Sequence, residues 1–146
     1  MKNRLIFVTG GGRSGKSRYA QTIADEIKGR KLYLATAHAL DDEMKSRIEI
    51  HRMDRPAGWN TVEETKHLSK AVKEIDKKFD VILIDCITMW ISNLLVIEGF
   101  SETEIMKELE YSQPEIDFWQ RIRFMININQ FVKNKISLIK QIRMFL

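Results

Sequence analysis

The segment over residues 10–17 is the strongest constraint on what this chain folds into, because its sequence GGGRSGKS matches the pattern G-x-x-x-x-G-K-[ST]. It follows an apolar run over residues 5–8 that predicts a buried strand. It precedes residues 18–28, whose apolar positions recur every three or four residues as in an amphipathic helix. A strand, a glycine-rich loop and a helix in this order form a phosphate-binding unit, so the sequence predicts a nucleoside triphosphate site here.

Each residue type in this motif has a physical reason. The glycines allow successive backbone amides to surround phosphate oxygens, and the N-terminal end of the following helix adds positive potential. Lys16 is predicted to bridge the terminal phosphates, and the Ser17 hydroxyl is predicted to bind Mg²⁺. A glycine-rich turn that only completes a helix would require neither side chain. The predicted nucleotide-binding residues of the loop are Gly10, Gly11, Gly12, Arg13, Ser14, Gly15, Lys16 and Ser17.

Length and composition predict one domain. The chain has 146 residues, of which 44% are hydrophobic, and this is enough for one globular core and too little for two. No run approaches about eighteen apolar residues, and no cleavable apolar segment precedes the first predicted strand, so we expect a cytoplasmic protein. The single cysteine, Cys86, lies beside an apolar strand and is expected to be a buried, inert thiol.

The formal net charge of +4 is not spread evenly along the chain. Residues 1–110 hold 18 basic and 18 acidic side chains, whereas residues 111–146 hold the whole excess and have no acidic residue after position 117. The first 110 residues therefore offer no basic stripe, and their aromatic side chains are not interleaved with the charges. We expect no nucleic-acid partner.

Strand and helix patterns alternate along residues 1–110, which predicts an α/β fold. The fold class expected is a P-loop, mostly parallel sheet of the doubly wound type, flanked by helices and with its site at the carboxyl ends of the strands. The run over 81–84 has the continuous apolar character of a central parallel strand covered on both faces. The further predicted elements are strands over 31–36 and around 59–62, a helix over 40–54 capped by Asp41 or Asp42, and a helix over 65–78.

Asp85 ends the predicted strand over 81–84 and is the second candidate magnesium ligand. The apolar residues before it carry the backbone through the core and deliver a carboxylate at the strand end, near the phosphate-bound metal. Alternatively, Asp85 caps the helix that begins near Ile87, and the two roles are compatible.

Arg47, His51 and Arg55 recur every four residues and predict a cationic helix face that carries an imidazole. A neutral imidazole between arginines can act as a nucleophile at phosphorus, giving a phosphoramidate while the arginines hold the phosphate oxygens. A solvated helix face has the same residue pattern, so these residues alone leave both interpretations open.

Residues 5 to about 98 resemble the bifunctional adenosylcobinamide kinase and adenosylcobinamide-phosphate guanylyltransferase family of cobalamin biosynthesis. Coincidence at so many separated places is improbable, whereas the loop motif alone would admit many families. The segments that carry the resemblance are VTGGGRSGKS from Val8, YLATA from Tyr33, LDDEM from Leu40, Arg47-Ile48 with His51-Arg52 and Arg55-Pro56, Trp59 with Thr61 and Glu63, and IDCIT from Ile84 with Trp90 and SNLL from Ser92.

The resemblance implies that the chain phosphorylates the side-chain hydroxyl of adenosylcobinamide with ATP or GTP. It then implies transfer of GMP from GTP to that phosphate through a guanylylated histidine, which His51 matches. It also implies Mg²⁺, a RecA-like fold, a corrinoid substrate and a homo-oligomer, a trimer. The guanine nucleotide contacts that it implies fall at or beside Thr36, Ala37, His38, Arg52, Met53, Asp54, Arg55, Glu63 and Asp85, and the metal residues are Ser17 and Asp85.

Residues 111–146 depart from the family, which continues with another core strand, a helix and a last strand. This segment holds neither Gly nor Ala, and its apolar residues recur every three or four positions, which predicts one long C-terminal amphipathic helix. We therefore divide the chain into a P-loop nucleotide-binding domain, 1–110, and a divergent helical tail of the same domain, 111–146. The tail is compatible with a truncated or frame-shifted end, with a replacement helix on the sheet or a neighbouring subunit, and with a helix on an anionic membrane or in a partner's groove.

Two other functions remain compatible with the sequence. The first is a P-loop kinase for another small hydroxylated metabolite, which needs no phosphoramidate. The second is a nucleotide-binding remnant that has lost turnover together with the missing core segments.

Overall fold

The computed structural model of the chain describes residues 6–11, 14–39, 41–55, 57–75 and 78–110. Within these ranges three parallel strands form one sheet, and helices precede, connect and follow them, so the predicted α/β class and parallel sheet are confirmed. In chain order the elements are α1 (Lys16–Asp25), β1 (Lys31–Ala35), α2 (Asp42–Met53), β2 (Asn60–Glu63), α3 (Leu68–Ile75), β3 (Val81–Asp85), α4 (Ile87–Ser92), which continues as a π-helical segment over Asn93–Ile97, and α5 (Glu102–Glu110).

The strand order places a topological switch at the C-terminal edge of the sheet. β1 is the middle strand of the described sheet, with β2 on one side and β3 on the other. The chain passes from β1 through α2 to β2 and then crosses back through α3 to β3. The last residues of the strands, Ala35, Glu63 and Asp85, are in register and form one row. Parallel α/β sheets bind their ligands at such a switch, as the sequence pattern predicts.

The structure differs from the sequence prediction at two strands. Residues 6–8, the described part of the strand predicted over 5–8, form no strand, and the Phe7 side chain is 37% exposed. β3, predicted to be central and covered on both faces, lies at an edge of the described sheet and is only partly buried. Apolar composition marks a segment as a candidate strand, but its pairing depends on contacts that are distant in sequence.

The hydrophobic core lies on one face of the sheet. Because side chains alternate along a strand, Leu32 and Leu34 of β1 enter the core, and Tyr33 and Ala35 lie on the opposite face. Helices α3, α4 and α5 cover the core face. Their buried apolar residues, with those of the π-helical segment, are Leu68, Val72, Ile75, Trp90, Ile91, Leu94, Leu95 and Ile105.

Side-chain caps fix the starts of α2 and α5. The Asp41 carboxylate accepts a hydrogen bond from the Met44 backbone N–H at 2.7 Å, which confirms the predicted cap. Before α5, the Ser101 N–H donates to Glu104 Oε2 at 2.7 Å, and the Glu104 N–H donates to Ser101 Oγ at 3.3 Å. This reciprocal pair is a capping box, and it starts α5 at the residue after Ser101.

Asn93 ties the helical segment after β3 to two other backbone segments. It is 3% exposed, and its Nδ2 donates to the carbonyls of Thr36 at 2.7 Å and Thr65 at 3.1 Å. The variant Asn93→Ala removes both hydrogen bonds and leaves a small cavity, so we expect the free energy of unfolding to fall by about 2 kcal/mol. Urea denaturation measures this loss. The matched variant Asn60→Ala, at an exposed position of β2, should stay within about 0.5 kcal/mol of the unmodified chain, and equal losses in both variants would contradict the assignment.

No helix in the described part of the chain is long and apolar enough to cross a bilayer. The long helix predicted over 111–146, and with it the division between domain and tail, lies outside the described residues.

Candidate functional site

A cleft of about 760 Å³ opens at the C-terminal edge of the sheet. The last residues of all three strands line it, together with the end of the glycine-rich loop, the start of α1 and one side of α2. Among the predicted site residues, those in the lining are Ser14, Gly15, Lys16, Ser17, Ala37, His51, Asp54, Arg55, Glu63 and Asp85. Folding thus brings segments from five parts of the chain into one cavity.

The glycine-rich loop turns sharply into α1 at Gly15. This residue precedes the helix with φ of 80° and ψ of 11°, in the left-handed region that glycine adopts at little cost. Lys16, the first residue of α1, donates from Nζ to the Gly11 carbonyl, and its Nζ lies 3.4 Å from Ser14 Oγ. The ammonium group therefore folds back over the loop. Gly12 and Arg13 lie outside the described residues.

One side of α2 faces the same cleft. Arg47, His51 and Arg55 all line it, as their four-residue spacing predicts, and Glu43 lines it one turn before Arg47. Arg55 itself follows the end of α2. An imidazole and the start of α1 therefore share a cavity, and phosphates held at the helix N-terminus would lie in the cavity that the imidazole lines.

Asp85 is held by Tyr33 across the sheet. The parallel register pairs Tyr33 with Leu83, so Asp85 is the diagonal neighbour of Tyr33 on the same face. The Tyr33 hydroxyl donates a hydrogen bond to Asp85 Oδ2. Burial, and then the charge of Asp85, raise the pKa of Tyr33 far above its ordinary value, so the hydroxyl keeps its proton and acts as the donor.

Glu63 holds two arginines near the end of α2. Arg52 donates from Nε and Nη2 to the two carboxylate oxygens of Glu63 at 2.9 and 2.7 Å, and Arg55 Nη1 lies 3.6 Å from Glu63 Oε1. The hydrogen bonds from Arg52 lower the pKa of Glu63, so this carboxylate stays ionised near neutral pH.

Arg55 links this ion-pair cluster to Tyr33. Its guanidinium carbon lies 4.8 Å from the centroid of the Tyr33 ring, within cation–π range. Its Nε is buried and has no hydrogen-bond partner among the residues that the structure describes. Arg55 is therefore a largely buried cation in the cleft wall.

The remaining predicted contacts lie outside the cleft lining. Thr36 is fully buried behind the cleft, where its hydroxyl accepts from the Cys86 N–H and donates to the Cys86 carbonyl, both at 2.8 Å. His38, Arg52 and Met53 are exposed. Gly10 and Gly11 precede Ser14, the first residue of the glycine-rich loop in the cleft lining.

Sequence reasoning missed several residues of the cleft. Tyr33 and Glu43 line it, and so does Cys86, whose thiol pKa is raised chiefly by burial. The spacing of Glu43, four residues before Arg47, was a usable signal. Tyr33 gave none, because its position opposite Asp85 depends on the register between two strands.

The sequence matches the family described as Cobinamide kinase / cobinamide phosphate guanyltransferase over residues 6–135. The chain belongs to this family. The match includes residues 111–135, which we predicted from the sequence to diverge from it. Similarity to the cobinamide kinase family therefore extends further along the chain than residues 5–98.

Curated relatives come from several bacteria. The bifunctional adenosylcobalamin biosynthesis protein CobU of Escherichia coli strain K12 is 45% identical over 95 residues, which are 65% of this chain and 52% of that protein. The protein of the same name from Salmonella typhimurium is 37% identical over 136 residues, 92% of this chain and 73% of that protein. The bifunctional adenosylcobalamin biosynthesis protein CobP of Pseudomonas aeruginosa is 43% identical over 91 residues, 62% of this chain and 53% of that protein. The matched part of the chain thus spans about half the length of the first and third of these relatives.

Proposed function

We propose that the chain is an adenosylcobinamide kinase and adenosylcobinamide-phosphate guanylyltransferase that uses the cleft for both reactions. One observation carries this proposal: the glycine-rich loop, Asp85 and His51 line the same cavity. A kinase needs the loop and the carboxylate, whereas an imidazole in the same cavity supplies the nucleophile for guanylyl transfer. Membership of the cobinamide kinase family supports both activities.

In the kinase reaction, Lys16 and the backbone amides at the start of α1 bind the phosphates of the nucleoside triphosphate. The hydroxyl of adenosylcobinamide attacks the γ-phosphorus. The new P–O bond forms as the bond to the β-phosphate oxygen breaks, and the nucleoside diphosphate leaves with that electron pair. The hydroxyl proton is released, and the product is adenosylcobinamide phosphate.

Ser17 and Asp85 are the residues that would hold Mg²⁺ in this cleft. Both line it, and no described residue donates a hydrogen bond to Asp85 Oδ1. One hydroxyl and one carboxylate suit Mg²⁺, which keeps water and phosphate oxygens as its other ligands. When bound, the metal would neutralise charge on the phosphates.

In the transferase reaction, an imidazole nitrogen of His51 attacks the α-phosphorus of GTP. The P–N bond forms as the bond to the β-phosphate oxygen breaks, and pyrophosphate leaves with the electron pair. Arg47 and Arg55 then stabilise negative charge on the α-phosphate oxygens. A phosphate oxygen of adenosylcobinamide phosphate attacks the same phosphorus, the P–N bond breaks, and adenosylcobinamide-GDP forms while the imidazole is restored.

The remaining contacts with the guanine nucleotide are also proposals. Ala37, Asp54 and Glu63 lie in the cleft lining. Thr36 is buried and would contribute by holding the backbone next to Ala37 in place. His38, Arg52 and Met53 stay candidate contacts from the resemblance, and so does assembly as a trimer.

Incubation of the purified chain with GTP labelled at the α-phosphorus tests this function. We expect protein-bound label that is lost in acid and survives base, as a phosphoramidate does, and that maps to the peptide containing His51. GTP labelled at the γ-phosphorus should leave no such label. Label on His38 or His67 would contradict the role of His51.

The labelling experiment, combined with an assay of γ-phosphoryl transfer, separates the alternatives. A folded chain that binds GTP, acquires no label and still phosphorylates a small hydroxylated metabolite other than adenosylcobinamide would be a P-loop kinase of another kind. A chain that binds nucleotide with neither label nor phosphoryl transfer would be an inactive remnant.

A further inference from the structure

Tyr33 lies in the cleft wall between the two parts of the proposed site. Its side chain is 2% exposed, although it belongs to the strand face that the cleft occupies. Its hydroxyl donates to Asp85, which ends β3, and its ring lies beneath the guanidinium of Arg55, which follows α2. Tyr33 therefore contacts one residue proposed to act at the metal and one proposed to act at the α-phosphate.

The hydroxyl and the ring of Tyr33 make separable contacts. A phenyl ring would fill the same space and keep the contact with Arg55, because cation–π attraction requires only the ring face. The hydroxyl adds one hydrogen bond, and its partner among the described residues is Asp85 Oδ2. A carboxylate with one oxygen fixed in this way cannot rotate freely, and its other oxygen stays available for a ligand.

We propose that Tyr33 is a positioning residue for the magnesium–nucleotide complex. Its hydroxyl orients Asp85 so that Oδ1 stays available to Mg²⁺ or to a water bound to it, and its ring keeps Arg55 in the cleft wall. Groups that orient a metal-binding carboxylate typically change metal affinity by about 10- to 100-fold when they are removed. This inference rests on the proposed function of the cleft.

The variant Tyr33→Phe tests the role of the hydroxyl without any turnover. Binding of a fluorescent, non-hydrolysable GTP analogue is followed at increasing Mg²⁺ concentration. We expect the Mg²⁺ concentration at half-maximal binding to rise about tenfold. Affinity for the analogue in EDTA should stay within about twofold of the unmodified chain, because the ring and Arg55 remain.

Two comparisons make the result specific. Tyr19→Phe is the same chemical change on α1, at a side chain that is 62% exposed and outside the cleft lining, and it should leave the Mg²⁺ midpoint unchanged. In an Asp85→Asn background, Tyr33→Phe should add less than about a twofold effect, because the hydroxyl acts through the carboxylate.

Three outcomes would overturn the inference. One is an unchanged or lower Mg²⁺ midpoint in Tyr33→Phe, including a variant that only melts at a lower temperature, since this indicates a purely structural hydroxyl. Another is a full tenfold effect in the Asp85→Asn background. The last is failure of the unmodified chain to bind the analogue with Mg²⁺, which would remove the proposed function of the cleft as well.

Discussion

Replacing His51 with asparagine is expected to reduce guanylyl transfer by a factor of at least about 10³ and to leave the kinase reaction within about threefold of the unmodified chain. Asparagine is neutral and similar in size, but its amide nitrogen is not nucleophilic, so no phosphoramidate forms. His51 lies on α2 and not on the loop that would bind the transferred phosphate, and the kinase step does not use its imidazole.

Two separate assays measure the effect of the substitution on the kinase reaction and on guanylyl transfer. The kinase step is followed as transfer of labelled γ-phosphate to adenosylcobinamide, and the second step as formation of adenosylcobinamide-GDP from supplied adenosylcobinamide phosphate. His67→Asn is the matched control, because His67 is exposed and lies outside the cleft lining, and both reactions should persist in it. Guanylyl transfer that survives in His51→Asn at more than about a tenth of its rate would show that the imidazole is not the nucleophile.

Replacing Lys16 with methionine is expected to lower both reactions together by about 10²- to 10³-fold. Methionine keeps an unbranched stem and removes the ammonium, so the charge that would balance the triphosphate is lost. Among the described residues, the Lys16 ammonium makes hydrogen bonds only with the glycine-rich loop. It can therefore reorient toward a bound nucleotide without breaking an ion pair. Both activities should suffer because both begin from a bound triphosphate.

For the Lys16→Met variant, the affinity for the nucleotide is measured by titration alongside the rates of the two reactions. Lys28→Met is the matched control, since Lys28 is exposed beyond the end of α1 and outside the cleft lining. We expect its rates to equal those of the unmodified chain. A Lys16→Met chain that retains either reaction within about threefold would exclude the lysine from that reaction's nucleotide site.

Local sequence patterns predicted most of the secondary structure between residues 14 and 85. The helix predicted over 40–54 forms as α2 (Asp42–Met53) with Asp41 as its cap, because periodicity and capping chemistry act within a few residues. The same holds for β1 (Lys31–Ala35), predicted over 31–36. The predicted placement of Arg47, His51 and Arg55 on one common side, where all three line the cleft, also followed from spacing alone.

Features that depend on strand pairing were beyond sequence reasoning. Tyr33 faces Asp85 only because β1 and β3 pair in one particular register, and no short window of sequence contains that information. The position of β3 at an edge of the described sheet likewise depends on pairing between distant segments, because residues 6–8 form no strand. Thr36 matched a nucleotide contact by resemblance, whereas the structure shows its hydroxyl bonded to the Cys86 backbone.

The in-register row of Ala35, Glu63 and Asp85 also sets which changes in chain length the cleft can tolerate. Deleting one residue within β2 would turn Glu63 toward the apolar layer and bring Val62 to the cleft, and Arg52 and Arg55 would lose their shared anion. Insertions in the connections after the strands leave the row unchanged. Length variation during evolution is therefore expected in those connections, while the strands themselves keep a constant number of residues.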